Sequence, residues 1–192
     1  MIYNSINFHQ FKVYLILNWW KLIKLKLKKL RVFDFDDTLV KTNSFVFVTN
    51  SGKAKKLSPG QYAVYKSKKD DVFDYSDFEK VKSPKQIKQM TMVFKRIAKK
   101  RGGHGLYILT ARGAYKPIRK YLKDIGIDTS NIFVKALGSN DPIDKANWIE
   151  NKIDNEWYND IFFADDSQKN IDAVKKMVSE KNVKFKIQKV NY

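Results

Sequence analysis

Residues 31–40 read RVFDFDDTLV, an apolar run that leads into Asp34, Asp36, Asp37 and Thr38 within five positions. Val32, Phe33 and Phe35 have the β-branched and aromatic character of a buried strand. Side chains alternate along a strand, so Asp34 and Asp36 are expected to project to one face. Two carboxylates sharing a face repel each other and need a cation or a shared proton to compensate. In open α/β sheets the carboxyl end of a strand is also where ligands bind. The pattern suits one carboxylate as nucleophile or metal ligand and the other as acid/base. A helix-capping turn would use one Asp or Thr, and would not place Asp34 inside the apolar run. An EF-hand loop starting at Asp34 would need Gly at Leu39 and Glu at Phe45, and has neither.

Around this stretch the chain alternates strands with helices. SFVFVTNSGK (44–53) reads as a strand entering a turn at Asn50-Ser51-Gly52, half of a hairpin. Ser58-Pro59 predicts a cap and first position for a short helix through Tyr65, and residues 66–82 read mostly as loop. Ser83-Pro84 predicts a longer helix to about Lys100, with Ile87, Met90, Val93, Phe94 and Ile97 at core spacing. GLYILT (105–110), Ile132–Val134, IFFADD (161–166) and VKFKI (183–187) are further strands, separated by helices that Pro117 and Asp141-Pro142 open. The expected fold is α/β, a Rossmann-like parallel sheet flanked by helices, with an insert at 41–82 after the first strand. Three strands then end in polar groups at one edge: Asp34/Asp36, Thr110 and Asp165/Asp166.

The sequence has 192 residues, enough for one domain with an insertion. It has no cysteine and two histidines, His9 and His104, so thiolate sites are excluded and any metal is expected on oxygen ligands, as Mg²⁺ prefers. The net charge of +18 favours polyanions such as nucleic acid, acidic membrane surfaces or phosphorylated substrates. AT-rich codon usage is the competing source of so much lysine. Residues 1–30 hold six lysines and no acid, and the domain proper is expected at 31–192. Their apolar run VYLILNWW (13–20) is shorter than the roughly 20 residues that span a bilayer, and no small-residue cleavage site follows it. The segment reads as a basic amphipathic segment lying on a membrane or partner, an ordinary extra element or an upstream extension outside the functional domain; its irregular alternation favours the last two. Membrane association is not expected, and the cytoplasm is the expected compartment. Without the seven basic residues up to Arg31 the charge is still +11.

Taken together, the motifs resemble the haloacid dehalogenase (HAD) superfamily of phosphotransferases over about residues 31–190. Asp34, Asp36 and Thr38 match its DxDxT motif. Thr110 in LYILTAR matches the strand ending in Thr or Ser, Lys145 the helix lysine, and Asp165-Asp166 the closing acidic pair. The resemblance implies a phosphatase: Asp34 attacking phosphorus to form an aspartyl-phosphate, and Asp36 protonating the leaving oxygen and then accepting a proton from water. It implies Mg²⁺ bridging Asp34, the Asp36 carbonyl, Asp166 and phosphate, with Asp165 beside them, and Thr110 and Lys145 on the phosphoryl oxygens. Asp37 stands where Gly is usual, Ala164-Asp165 where Gly-Asp is common, and Asn170 where many relatives carry a second acid. Arg112 is either a contact for a neighbouring phosphate or, on balance, a surface salt bridge. An insert of this size suggests an open site suited to a phosphorylated polymer end, as in members that trim nucleic-acid termini. Tyr62, Tyr65, Phe73 and Tyr75 could stack bases or form the insert's own core. The alternatives are a small-metabolite phosphatase and a basic nucleic-acid-binding protein with an inactive site.

Overall fold

The structure, a computed structural model, describes Lys12 and residues 27–191. Most of the basic N-terminal segment, including the apolar run at 13–20, lies outside the described residues. Among the described residues no helix is long and apolar enough to cross a membrane.

A five-stranded parallel sheet forms the centre, built from β1 (Lys29–Phe33), β7 (Leu106–Thr110), β8 (Ile132–Ala136), β9 (Asp160–Asp165) and β10 (Lys184–Lys189). Its strand order is β10-β9-β1-β7-β8. Both faces are covered, which explains why the central strands read as continuous apolar runs. Phe33, Leu106 and Ile108 face one layer, where α2 (Lys88–Arg101) contributes Met90 and Phe94 and α3 (Lys116–Asp124) contributes Ile118, Tyr121 and Leu122. Leu30, Val32, Tyr107, Leu109, Ile161 and Phe163 face the other, against α4 (Pro142–Glu156) and α5 (Gln168–Ser179). The architecture is compatible with a Rossmann-like fold. From β1 the chain builds outward through β7 and β8, then crosses to the other side for β9 and β10, so the order reverses between β1 and β9. A crevice at the carboxyl ends of two such strands is where ligands bind in open α/β sheets.

Between β1 and α2 the chain forms a small β-rich unit. β2 (Val40–Lys41) pairs antiparallel with β6 (Lys85–Gln86), closing the unit at its base. Inside it β3 (Val46–Asn50) lies between β4 (Lys53–Leu57) and β5 (Val72–Asp74). The expected hairpin is present: Ser51 and Gly52 both take positive φ, 48° and 76°, the two-residue turn that matches strand twist. α1 (Pro59–Ala63) follows with Ser58 and Gln61 forming a reciprocal capping box, and ends two residues before Tyr65. Tyr62 and Phe78 pack on Val46, Val48 and Leu57 with Tyr65 and Phe73, so these aromatics are the unit's own core.

Three boundaries differ from expectation. Residues 66–82 are more than loop, because β5 finds its partner in β3 and a 3₁₀ turn at Ser76–Glu79 buries Phe78. The helix expected from Ser83-Pro84 starts at Lys88: Ser83 has φ 43°, and Lys85-Gln86 join β2 instead. The fold also begins slightly before residue 31. Leu30 is fully buried, and the Lys28 carbonyl accepts from Asn159 and Asp160.

Candidate functional site

Asp34 follows β1 directly, its backbone N–H donating to the Ala164 carbonyl at 2.9 Å. That bond places it beside the end of β9, where Asp165 closes the strand and Asp166 follows. Lys145 reaches both from the first turns of α4, whose start is fixed by the Asp141 side chain accepting from the Ile143 N–H. Its Nζ donates to Asp34 Oδ1 and to Asp165 Oδ2, each at 2.7 Å. A lysine ammonium has three N–H groups, so one remains for a third acceptor.

Asp165 is the most constrained of these acids. Besides Lys145, it accepts from the Ser167 N–H at 2.9 Å and from Asn170 Nδ2 at 3.0 and 3.1 Å. Asn170 therefore reaches this cluster as a donor to Asp165. Thr38 Oγ1 donates to Asp166 Oδ1 at 3.3 Å, tying the turn after β1 to the turn after β9. The Asp34, Asp165 and Asp166 carboxylates each bring an oxygen within 4.8 Å of the others. That cluster could hold a metal ion.

Its electrostatics point the same way. Burial pushes the Asp34 carboxyl well above the usual range, outweighing Lys145, and Asp165 and Asp166 raise it further. Burial, with Asp165 and Asp37 as repelling neighbours, pushes Asp166 up to about 7. For Lys145 burial alone would favour the neutral amine, but Asp165 and Asp34 outweigh it and hold the ammonium charged. Three carboxylates share one cation, so the cluster is short of positive charge. Among the described residues one buried side-chain polar atom lacks a partner, the Ser167 hydroxyl beside Asp166. A hard cation with bound water fits such a donor set, all oxygen, acidic and incompletely compensated.

Asp36 lines the same cleft in a different arrangement. Its carboxylate lies outside the acidic cluster and pairs with Arg112, Nε to Oδ2 at 2.7 Å and Nη2 to Oδ1 at 2.8 Å. Thr42 Oγ1 adds a bond to Oδ1 at 2.8 Å. Arg112 is fully buried, which overturns the expectation of a surface salt bridge. Its Nη1 donates to the carbonyls of Phe78 and Lys80 at 3.0 and 2.9 Å, and its guanidinium lies 4.5 Å over the Phe78 ring. A free phosphate-binding arginine was the other expectation, and in this structure the guanidinium is fully engaged within the protein. Thr42 was not anticipated; six residues after Asp36, nothing in its local sequence marks it.

Thr110 ends β7, its Oγ1 accepting from the Arg112 N–H at 3.2 Å. Its own hydroxyl proton has no acceptor among the described residues. Asp34, Asp36, Thr110, Lys145, Asp166 and Asn170 all line one cleft. The β-rich unit supplies the facing wall through Pro59, Gly60, Tyr62, Ala63 and Phe78. Asp37 turns the chain between them with φ 56°, a conformation that Asp adopts more readily than most side chains.

Comparison of the chain with models of known protein families, with curated proteins and with solved structures finds no significant match. What the site does has to be read from its residues and their geometry.

Proposed function

We propose that this chain is a Mg²⁺-dependent phosphomonoesterase of the HAD type, acting through an aspartyl-phosphate on Asp34. One observation carries the reading: the Lys145 ammonium bridges Asp34 and Asp165 at the sheet's switch point, with Asp36 held separately by Arg112 in the same cleft. Such an arrangement offers a nucleophile, a charge-neutralising donor and a second carboxyl for proton transfer. The left-handed Asp37 supports it, since the family pattern has Gly at that position.

In the first step a carboxylate oxygen of Asp34 bonds to phosphorus as the bond to the ester oxygen breaks. Asp36, in its acid form, gives that oxygen a proton. In the second step water attacks phosphorus and the bond to Asp34 breaks, while the Asp36 carboxylate takes the water's proton. The third N–H of Lys145 and the Thr110 hydroxyl hold the phosphoryl oxygens in both steps. Mg²⁺ would be held by Asp34 and Asp166 with Asp165 alongside, and when bound supplies positive charge against the phosphoryl oxygens. The local deficit of cationic charge is what favours it there.

The preferred substrate is a terminal phosphate of a nucleic acid or nucleotide, supported by the net charge of +18 and an insert too small to enclose its cleft. A second reading, a small phosphorylated metabolite, draws on Tyr62 and Phe78 forming an apolar wall beside the acids. Mg²⁺-dependent phosphate release from 3′- and 5′-phosphorylated oligonucleotides, beside p-nitrophenyl phosphate, separates them, with Asp34→Asn as the blank. Release favouring one oligonucleotide end is the expected result. Release from the small ester alone moves the substrate to metabolites. No release above the blank from folded protein overturns the phosphatase and favours a binding protein with an inactive site.

A further inference from the structure

We infer that Arg112 is a positioning residue that presents one defined oxygen of Asp36 for proton transfer and, through the same guanidinium, seats the insert over the cleft. The inference rests on the phosphatase reading for the role of Asp36, and on geometry alone for the seat.

An arginine side chain has five N–H groups, and all five of Arg112 are used. Nε and one Nη2 hydrogen go to Asp36, the other Nη2 hydrogen to Thr42 Oγ1 at 3.2 Å, and both Nη1 hydrogens to the Phe78 and Lys80 carbonyls. Nothing remains to bind a phosphoryl oxygen. The same count distinguishes the two oxygens of Asp36. Oδ1 accepts twice, from Arg112 and Thr42, whereas Oδ2 accepts once, from Arg112 Nε. A carboxylate oxygen has about two acceptor positions, so the open one belongs to Oδ2. Oδ2 is therefore the oxygen that carries the proton to the leaving group and takes it from water. The bidentate grip also fixes the carboxylate plane, as a point charge would not.

The carbonyls bound by Nη1 belong to the 3₁₀ turn of the insert and the residue after it. Phe78 also lines the cleft and lies beneath the guanidinium. Holding the acid and holding the insert's wall are thus one set of bonds made by one residue. Displacing the 78–80 segment would leave two guanidinium N–H groups buried without acceptors, so the seat and the acid's geometry stand or fall together.

The test uses the full chain carrying Arg112→Lys, Asp36→Asn and both, assayed on p-nitrophenyl phosphate and on a simple alkyl phosphate. Arg112→Lys is expected to lower kcat about 10²-fold, the lower range for losing general acid–base catalysis, with KM little changed. The loss should be greater for the alkyl ester, whose leaving oxygen needs the proton more. In the Asp36→Asn background Arg112→Lys should cost nothing further. A rise in KM, or a further loss in that background, would overturn the assignment in favour of a phosphate contact. Thr42→Val, which removes one bond to Oδ1 and the acceptor of one Arg112 Nη2 hydrogen but no charge, covers the case in which the charge variants do not fold. It should lower kcat several-fold with the same leaving-group dependence; an unchanged kcat overturns the proposal.

Hydrogen exchange gives a readout independent of activity. The Phe78, Lys80 and Lys82 amides, which donate to Tyr75, Asp77 and Ser44, should lose protection in Arg112→Lys and, less so, in Thr42→Val. Unchanged exchange overturns the seat even in an active enzyme. A wild type that releases no phosphate overturns the phosphatase reading, and with it the proton role, while exchange still decides the seat.

Discussion

Two buried cations line this cleft, and they are opposite in design. Arg112 meets one carboxylate, and its remaining donors end on two carbonyls and a hydroxyl. Lys145 meets two carboxylates with a third nearby, and keeps one N–H unused. The arginine side is balanced and saturated; the lysine side is crowded with negative charge and short of positive charge. A buried ion pair with every hydrogen bond made holds a shape. A cluster lacking positive charge draws in a cation. The difference suits Arg112 to holding Asp36 in place and suits the lysine side to holding a cation.

The largest expected effect is on activity. Asp34→Asn should abolish phosphate release, by about 10⁴-fold or more in kcat, since it removes the proposed nucleophile. Asp36→Asn should cost less, about 10²- to 10⁴-fold, because it removes the proposed proton carrier and leaves the proposed attacking group. Single-turnover assays on one ester rank them, and a reversed order would exchange the roles of the two halves.

Stability should divide the halves with opposite sign. Asp36→Asn leaves the Arg112 guanidinium buried without a counter-charge, at a cost of about 3–5 kcal/mol. Asp34→Asn removes a carboxylate that burial and two acidic neighbours already disfavour, and Lys145 keeps Asp165. Its metal-free form should be as stable as the wild type or more so. Denaturant melts in a chelator measure both, and equal destabilisation would show that the lysine cluster is compensated after all.

How much of this contrast the sequence reveals depends on how local each cause is. β1, β7 and β9 are legible as apolar runs, and Asp34, Thr110 and Asp165 at their ends follow from which strands lie side by side. The Asp141-Pro142 cap and the Ser51-Gly52 turn are legible because each is complete within a few residues. β5 and β6 are not: Val72-Phe73 and Lys85-Gln86 become strands through partners some 20 to 45 residues earlier in the chain. Arg112 is the clearest case. Its place beside Thr110 is plain from the sequence, but its burial is not, because Asp36 and Thr42 lie 76 and 70 residues back and its carbonyl acceptors belong to the insert. A carbonyl offered by the main chain leaves no trace in residue type.

A pH titration sharpens the lysine side. Raised carboxyl values mean that the folded chain holds protons the unfolded chain has already lost. Between an ordinary carboxyl value near 4 and the Asp166 value of about 7, rising pH should therefore lower metal-free stability. Mg²⁺ competes with those protons, so its stabilising effect should be small near pH 5 and grow as pH rises through about 7. Melting temperatures with Mg²⁺ and with chelator, taken across that range, should diverge upward with pH. Parallel curves would mean that the three acids are not the metal's ligands.

The smallest effect is at Ser167, whose buried hydroxyl has no partner among the described residues. Removing a buried polar group that makes no bond recovers its desolvation cost, so Ser167→Ala should be neutral or stabilise the metal-free chain by about 1 kcal/mol. With Mg²⁺ present the sign should turn, if water held at the acidic cluster supplies the hydroxyl's missing bond. The same substitution measured in both states therefore reports whether the cluster recruits solvent with its cation. A stabilisation of equal size with and without Mg²⁺ would leave the hydroxyl a packing defect and remove it from the site.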